Sequence, residues 1–174
     1  MTQTKAISAG LLAGFVAAVV MTTAMLLLAT LGVATPLVII GDRLSVFIPP
    51  GPFLSIMGKV GGYNHLKQLG VGSTIAGQLV VGAIGGSIFG WFASHKSARI
   101  PAIWTMSILV LLPIVVFAIA LWPVLGTSYI GLPIQVARLV TLVAFALCVL
   151  LFERTLVAGF EFLLVGTARR AVRD

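Results

Sequence analysis

Charge is scarce in this chain. Of 174 residues, 9% are Asp, Glu, Lys or Arg, against about 25% in an ordinary soluble domain. So few ionisable side chains cannot cover a water-soluble fold of this length, and that class is excluded. Disorder is excluded as well. It needs low hydrophobicity and high net charge, whereas 60% of the residues are apolar and the mean hydropathy is +1.18. Glycine (19) and proline (8) are present without the abundance or period of a fibrous chain. Cysteine occurs once, which leaves no intrachain disulfide and no thiolate cluster. Cys148 stands in Leu147-Cys148-Val149-Leu150 and reads as a small packed core residue. Acidic residues number four and histidines two. No Cys-x-x-Cys-His, no His-Glu-x-x-His and no paired carboxylates occur, so no catalytic residues and no metal ligands are assigned. What remains is an integral membrane protein.

What is present is a set of long apolar runs. A span needs about 20 mostly apolar residues. Four candidates meet this: Ala6–Leu31, Leu69–Phe92, Ala102–Leu125 and Pro133–Phe152. The first is too long for a signal-peptide core of about 7–15 residues and reads as an uncleaved span. Pro101 opens the third at a first-turn position, and Pro113 predicts a kink within it. The expected fold class is therefore all-α: four transmembrane helices in one membrane domain, 1–174, with a long interfacial or re-entrant cap, 35–68, between the first and second spans.

The fourth span has two registers. In the preferred one it ends near Glu153-Arg154, and 153–174 forms an amphipathic tail on the inner face. In the other, Leu139–Val165 crosses and Glu153-Arg154 lie near the bilayer centre. Ionised groups at a helix centre cost about 2.5–3.5 kcal/mol each on insertion scales and mark function by default.

The net charge of +7 sits beside the apolar runs and is not interleaved with aromatics, so it sets topology and meets anionic lipid rather than nucleic acid. Lys5, Lys96, Arg99, Arg154, Arg169, Arg170 and Arg173 fall on one side; Arg43, Lys59, Lys67 and Arg138 fall on the other. Seven against four places both termini in the cytoplasm of a multi-pass inner-membrane protein. Lys96, Arg99, Arg169 and Arg170 become headgroup contacts.

The cap is not hydrophilic. Thr35-Pro36 reads as an N-cap followed by a first-turn proline, Leu37–Phe47 as a short helix stopped by Pro49-Pro50-Gly51-Pro52, and Phe53–Lys59 as a further turn or two before Gly61-Gly62. Asp42, Arg43, Tyr63, Asn64, His65 and Lys67 collect most of its polar side chains. They form a candidate docking or ligand surface, or else pair and anchor at headgroup level. The strongest local pattern is Gly82-x-x-x-Gly86-x-x-x-Gly90, preceded by Ser73-x-x-x-Gly77. Glycines four apart share a helix face and admit another backbone, so Gly77, Gly82, Gly86 and Gly90 are candidate packing residues toward a helix of this chain or another. Gly10-x-x-x-Gly14 is a weaker version. Gly72-x-x-x-x-Gly77 lacks the Lys and Ser/Thr of a phosphate loop. His65 and His95 lie at opposite ends of a span about 36 Å long and cannot share a metal. Each reads as an interfacial polar residue, with single axial ligation of a haem or pigment as the alternative.

Thr35-Pro36, Gly41-Asp42-Arg43-Leu44, Gly61-Gly62-Tyr63-Asn64-His65-Leu66-Lys67-Gln68-Leu69-Gly70 and Gly77-Gln78-Leu79 with Gly82, Gly86 and Gly90 resemble the N-terminal membrane region of bacterial molybdopterin-dependent, sulfite-oxidase-like oxidoreductases. The resemblance implies a membrane anchor whose molybdopterin belongs to a separate catalytic part, because the sequence ends at Asp174 without residues to hold it. The expected function is a non-catalytic membrane subunit that docks an electron-transfer assembly, with other membrane subunits and lipids as partners in a hetero-oligomer. Two alternatives stand beside it. One is an accessory subunit of a photosynthetic or respiratory complex contacting lipid or pigment tails; the other is a small transporter or channel.

Overall fold

The computed structural model describes residues 3–43, 49–94, 102–121 and 131–171, and side chains except those of 40–43, 102–109, 121 and 165–171. Among the described residues the fold is entirely helical: α1 (Gln3–Thr30), α2 (Pro36–Arg43), α3 (Pro50–Val60), α4 (Tyr63–Ser94), α5 (Ala102–Leu121) and α6 (Ile134–Ala171). Among the described residues, three stretches are long and apolar enough to cross a membrane: Gln3–Thr30, Tyr63–Ser94 and Ile134–Leu164. The described side chains of α5 make a shorter apolar helix, Val110–Ala120, and Pro113 lies within it.

The distribution of side-chain size fits an apolar solvent. In α1 the buried positions are Ala6, Ala9, Gly10, Ala13, Gly14, Ala17, Ala18, Thr22 and Met25, almost all small. The bulky residues Leu12, Phe15, Val16 and Leu27 are turned outward. A water-soluble helix does the opposite. Lipid tails are as apolar as leucine, so association there gains nothing from hiding leucine. It gains from close backbone approach, which small residues permit.

α1 is the centre of the bundle. Its glycine face meets α4 and its alanine face meets α6. Both neighbours run antiparallel to it: Ala6 lies against Gly90 and Gly14 against Gly82 on α4. On α6, Ala13 lies against Gly159, and Met25 shares a cluster with Cys148 and Val149. A lower cluster joins Ala6, Ala9, Ala13 and Ala17 to Leu156 and Phe160, and the Phe89 and Phe160 rings meet edge-on at 5.2 Å. An upper cluster adds Ala34, Leu37, Ile39, Phe117 and Phe145. α5 packs on α6, with the Phe117 and Phe145 ring centroids 4.4 Å apart.

The cap differs from expectation in three ways. α2 does not merely lie on a surface, since Leu37 and Ile39 are buried in the upper cluster. The prolines start α3: Pro50 occupies the first turn, where a missing N–H costs nothing, while the expected end of the preceding helix, 44–48, lies outside the described residues. Gly61 ends α3 at φ 89°, and the Gly62 N–H donates to the Met57 carbonyl at 2.9 Å. That closure needs a left-handed residue, which glycine supplies without a Cβ penalty. Finally, α4 begins at Tyr63, so Tyr63–Gln68 are its first turns and not loop. Thr35 caps α2 through its backbone, with its carbonyl accepting from Val38 and Ile39 N–H. Its buried hydroxyl has no hydrogen-bond partner.

The fourth span also differs. α6 runs unbroken for 38 residues, about 57 Å, through the point where the span was expected to stop. Leu156 and Phe160, assigned to an interfacial tail, are instead buried against the first half of α1.

Candidate functional site

The most constrained feature is the α1–α4 seam. A Cβ placed on Gly86 would land on the Gly10 carbonyl oxygen and 2.7 Å from Gly14 Cα. One on Gly82 would lie 2.5 Å from Ala18 Cβ and 3.1 Å from the Gly14 oxygen, and one on Gly90 would strike the Ala6 carbonyl. Gly82, Gly86 and Gly90 are buried, and their partner is the weaker motif, Gly10-x-x-x-Gly14, of the same chain. Gly77 does not join them. It is exposed, with open space around any added Cβ. Register explains this: Gly77 is five residues before Gly82, so it lies about 140° round the helix from it.

The polar residues of the cap gather at the opposite end of α4. That helix has 32 residues, about 48 Å at 1.5 Å each, so its first turns extend beyond a hydrocarbon layer of about 30 Å. They carry Tyr63, Asn64, His65 and Lys67, all exposed. His65 Nδ1 lies 3.1 Å from the Gly61 carbonyl, which accepts the ring N–H in the Nδ1–H tautomer. This fastens the ring to its own helix start. The side chains of Asp42 and Arg43, residues His95, Lys96 and Arg99, and the side chains of Arg169 and Arg170 lie outside the described set.

One group stands apart from these. Glu153 is 6% exposed and lies in the bundle, not at its end. Its neighbour Phe152 approaches the Gly82–Ala18 contact, with Cε2 3.4 Å from a Cβ on Gly82. Ala18 stands near the midpoint of Ala6–Leu31, and Gly82 close to that of Leu69–Phe92. Glu153 is thus level with the middle of both apolar runs. Arg154 Nε lies 3.2 Å from Glu153 Oε2, with the arginine side chain 82% exposed. This is a contact of charge and not an aligned hydrogen bond, since Oε2 has no hydrogen-bond donor. Elsewhere in the bundle, the Thr22 hydroxyl donates to the Ala18 carbonyl at 2.8 Å, and Gln78 Nε2 reaches Met25 Sδ at 3.7 Å.

The sequence pattern made this ion pair conspicuous, but its preferred register placed it in water. The signal that finds it is the helical face Ala137, Thr141, Ala144, Cys148, Glu153, Leu156 and Phe160. All seven are buried, and the carboxylate falls among them.

No family model matches the chain, and no curated protein and no solved structure matches it.

Proposed function

We propose that this chain is a non-catalytic, multi-pass membrane subunit that docks an electron-transfer assembly. The single observation that carries the reading is the division of labour along the bundle. Its interior is committed to backbone-close packing of α1, α4 and α6. Its polar side chains Tyr63, Asn64, His65 and Lys67 are presented outward at one end, beside a cap anchored by Leu37 and Ile39. A rigid platform with an exposed polar rim suits docking, whereas catalysis needs a nucleophile held beside a base. In the family that the sequence resembles, molybdopterin belongs to a separate catalytic domain. The residues described do not fit that group, because the one thiol, Cys148, is sealed in the upper cluster with Met25 and Phe145. In this reading α5 completes a fourth crossing and both termini face the cytoplasm of a bacterial inner membrane.

The test is purification of the tagged chain from its native membranes in a mild detergent, with visible spectra and mass spectrometry of what co-migrates. A stoichiometric redox-active chain is expected. A chain that migrates alone, or that carries solute flux into liposomes by itself, refutes the proposal.

A further inference from the structure

Arg154 projects from the bundle at the depth of the Ala18–Gly82 layer, with 82% of its side chain uncovered. Its neighbours on the outward face of α6 are apolar: Leu147, Leu150 and Leu151 are all exposed. From mid-span, a hydrocarbon edge lies about 15 Å away in either direction. That is farther than the side chain extends, so it cannot snorkel fully to water. Of five guanidinium N–H donors, the Nε group is the one that meets Glu153.

We propose that this face of α6 is a helix-docking seam, and that its occupant is a transmembrane helix of a partner protein carrying a carboxylate at mid-span, received by the Arg154 guanidinium. The proposal rests on reading the chain as a subunit. Charge complementarity selects the occupant: the forked terminal nitrogens suit bidentate contact with a carboxylate, and burying them against leucine alone would leave every donor unmet. A second copy inserted in the same direction does not fit. A two-fold axis along the membrane normal sets equal residues at equal depth, so two Arg154 side chains would meet. Glu161 is exposed on the same face, two turns nearer the inner edge, about 10 Å along the axis from Arg154. Ala158 lies between the two charges and is exposed, leaving room for a neighbouring backbone.

The probe is a lysine-flanked Leu–Ala transmembrane peptide with one Glu at its midpoint, compared with the same peptide lacking it. Association with the full chain is read by energy transfer in phosphatidylcholine vesicles. We expect the Glu peptide to bind at least tenfold more tightly, and the preference to vanish in Glu153→Gln/Arg154→Gln. That double variant leaves no orphan charge in the bundle, and its fold is checked by circular dichroism. Equal binding of both peptides overturns the seam, as does a preference that survives the double variant. Efficient cross-linking of Ala158→Cys between copies of the chain also overturns it, by showing a second copy in that place. Loss of the peptide preference with the native complex intact sinks the seam alone. A chain that purifies alone yet keeps the preference sinks the subunit reading alone.

Discussion

Gly86→Ala tests the packing most directly. The added methyl meets backbone on both sides: the Gly10 oxygen, and Gly14 Cα at 2.7 Å. No rotamer change relieves a clash between main chains. Carbon atoms rest at about 3.5–4.0 Å, so α1 and α4 must separate by about 1 Å. A gap of that size forfeits a quarter to a half of each dispersion contact across the seam. The close approaches at Gly10, Gly14, Gly82 and Gly90 are all loosened together, for a loss of about 2–3 kcal/mol, in line with overpacking elsewhere. The control sits one residue away. A Cβ on Gly85 meets nothing within 4 Å, so Gly85→Ala feels helix propensity alone and is neutral to about 1 kcal/mol stabilising. The assay is equilibrium unfolding of the full chain in mixed dodecyl maltoside–SDS micelles, followed by energy transfer between labels on α1 and α4. If Gly86→Ala unfolds at the same SDS fraction as Gly85→Ala, the two helices do not touch through their backbones.

Three other outcomes follow from the same packing. Ala13→Cys with Gly159→Cys, in a Cys148→Ser background, is expected to form an intrachain disulfide under mild oxidant, because the two β-carbons would be 3.4 Å apart, close to the spacing of a disulfide; absence of the fast-migrating oxidised band would contradict antiparallel α1–α6 contact. Cys148 is 2% exposed, so a membrane-permeant maleimide should leave it unlabelled in native vesicles and label it after SDS unfolding, and prompt native labelling would show the upper cluster to be open. Phe117→Ala removes the ring that α5 places on Phe145 and should loosen α5 by at least the ~0.5–1.5 kcal/mol of an aromatic pair, read as increased proteolysis of the α5 segment with α1–α4 energy transfer unchanged; loss of both signals together would mean that α5 is integral to the three-helix core.

Much of the architecture was legible in order along the chain. Apolar length alone announced α1 and α4 and located α5, because a bilayer of set thickness demands runs of set length. The glycine spacing of Gly82, Gly86 and Gly90 announced a face for close approach, since a period near 3.6 residues puts every fourth residue in line. Helix α6 was harder. Glu153-Arg154 reads as the edge of a span where charge is expensive in lipid, with a crossing over Leu139–Val165 as the other register, and the pair lies within one unbroken helix whose Leu156 and Phe160 pack on the alanines of α1. Proline was likewise ambiguous: Pro50 and Pro52 stop one helix or begin the next with equal local logic.

Local pattern determines which segments are helical and apolar, because those properties depend on near neighbours and on the solvent. It does not determine which glycine face meets which. Gly77 and Gly86 look alike in the sequence, and only the approach of Gly10 and Gly14 separates the buried one from the bare one. Nor does it settle the setting of Glu153. Whether that carboxylate meets water or the interior depends on how α6 is registered against α1 and α4, a relation between residues about 70 to 140 positions apart in the chain, which tertiary packing alone decides.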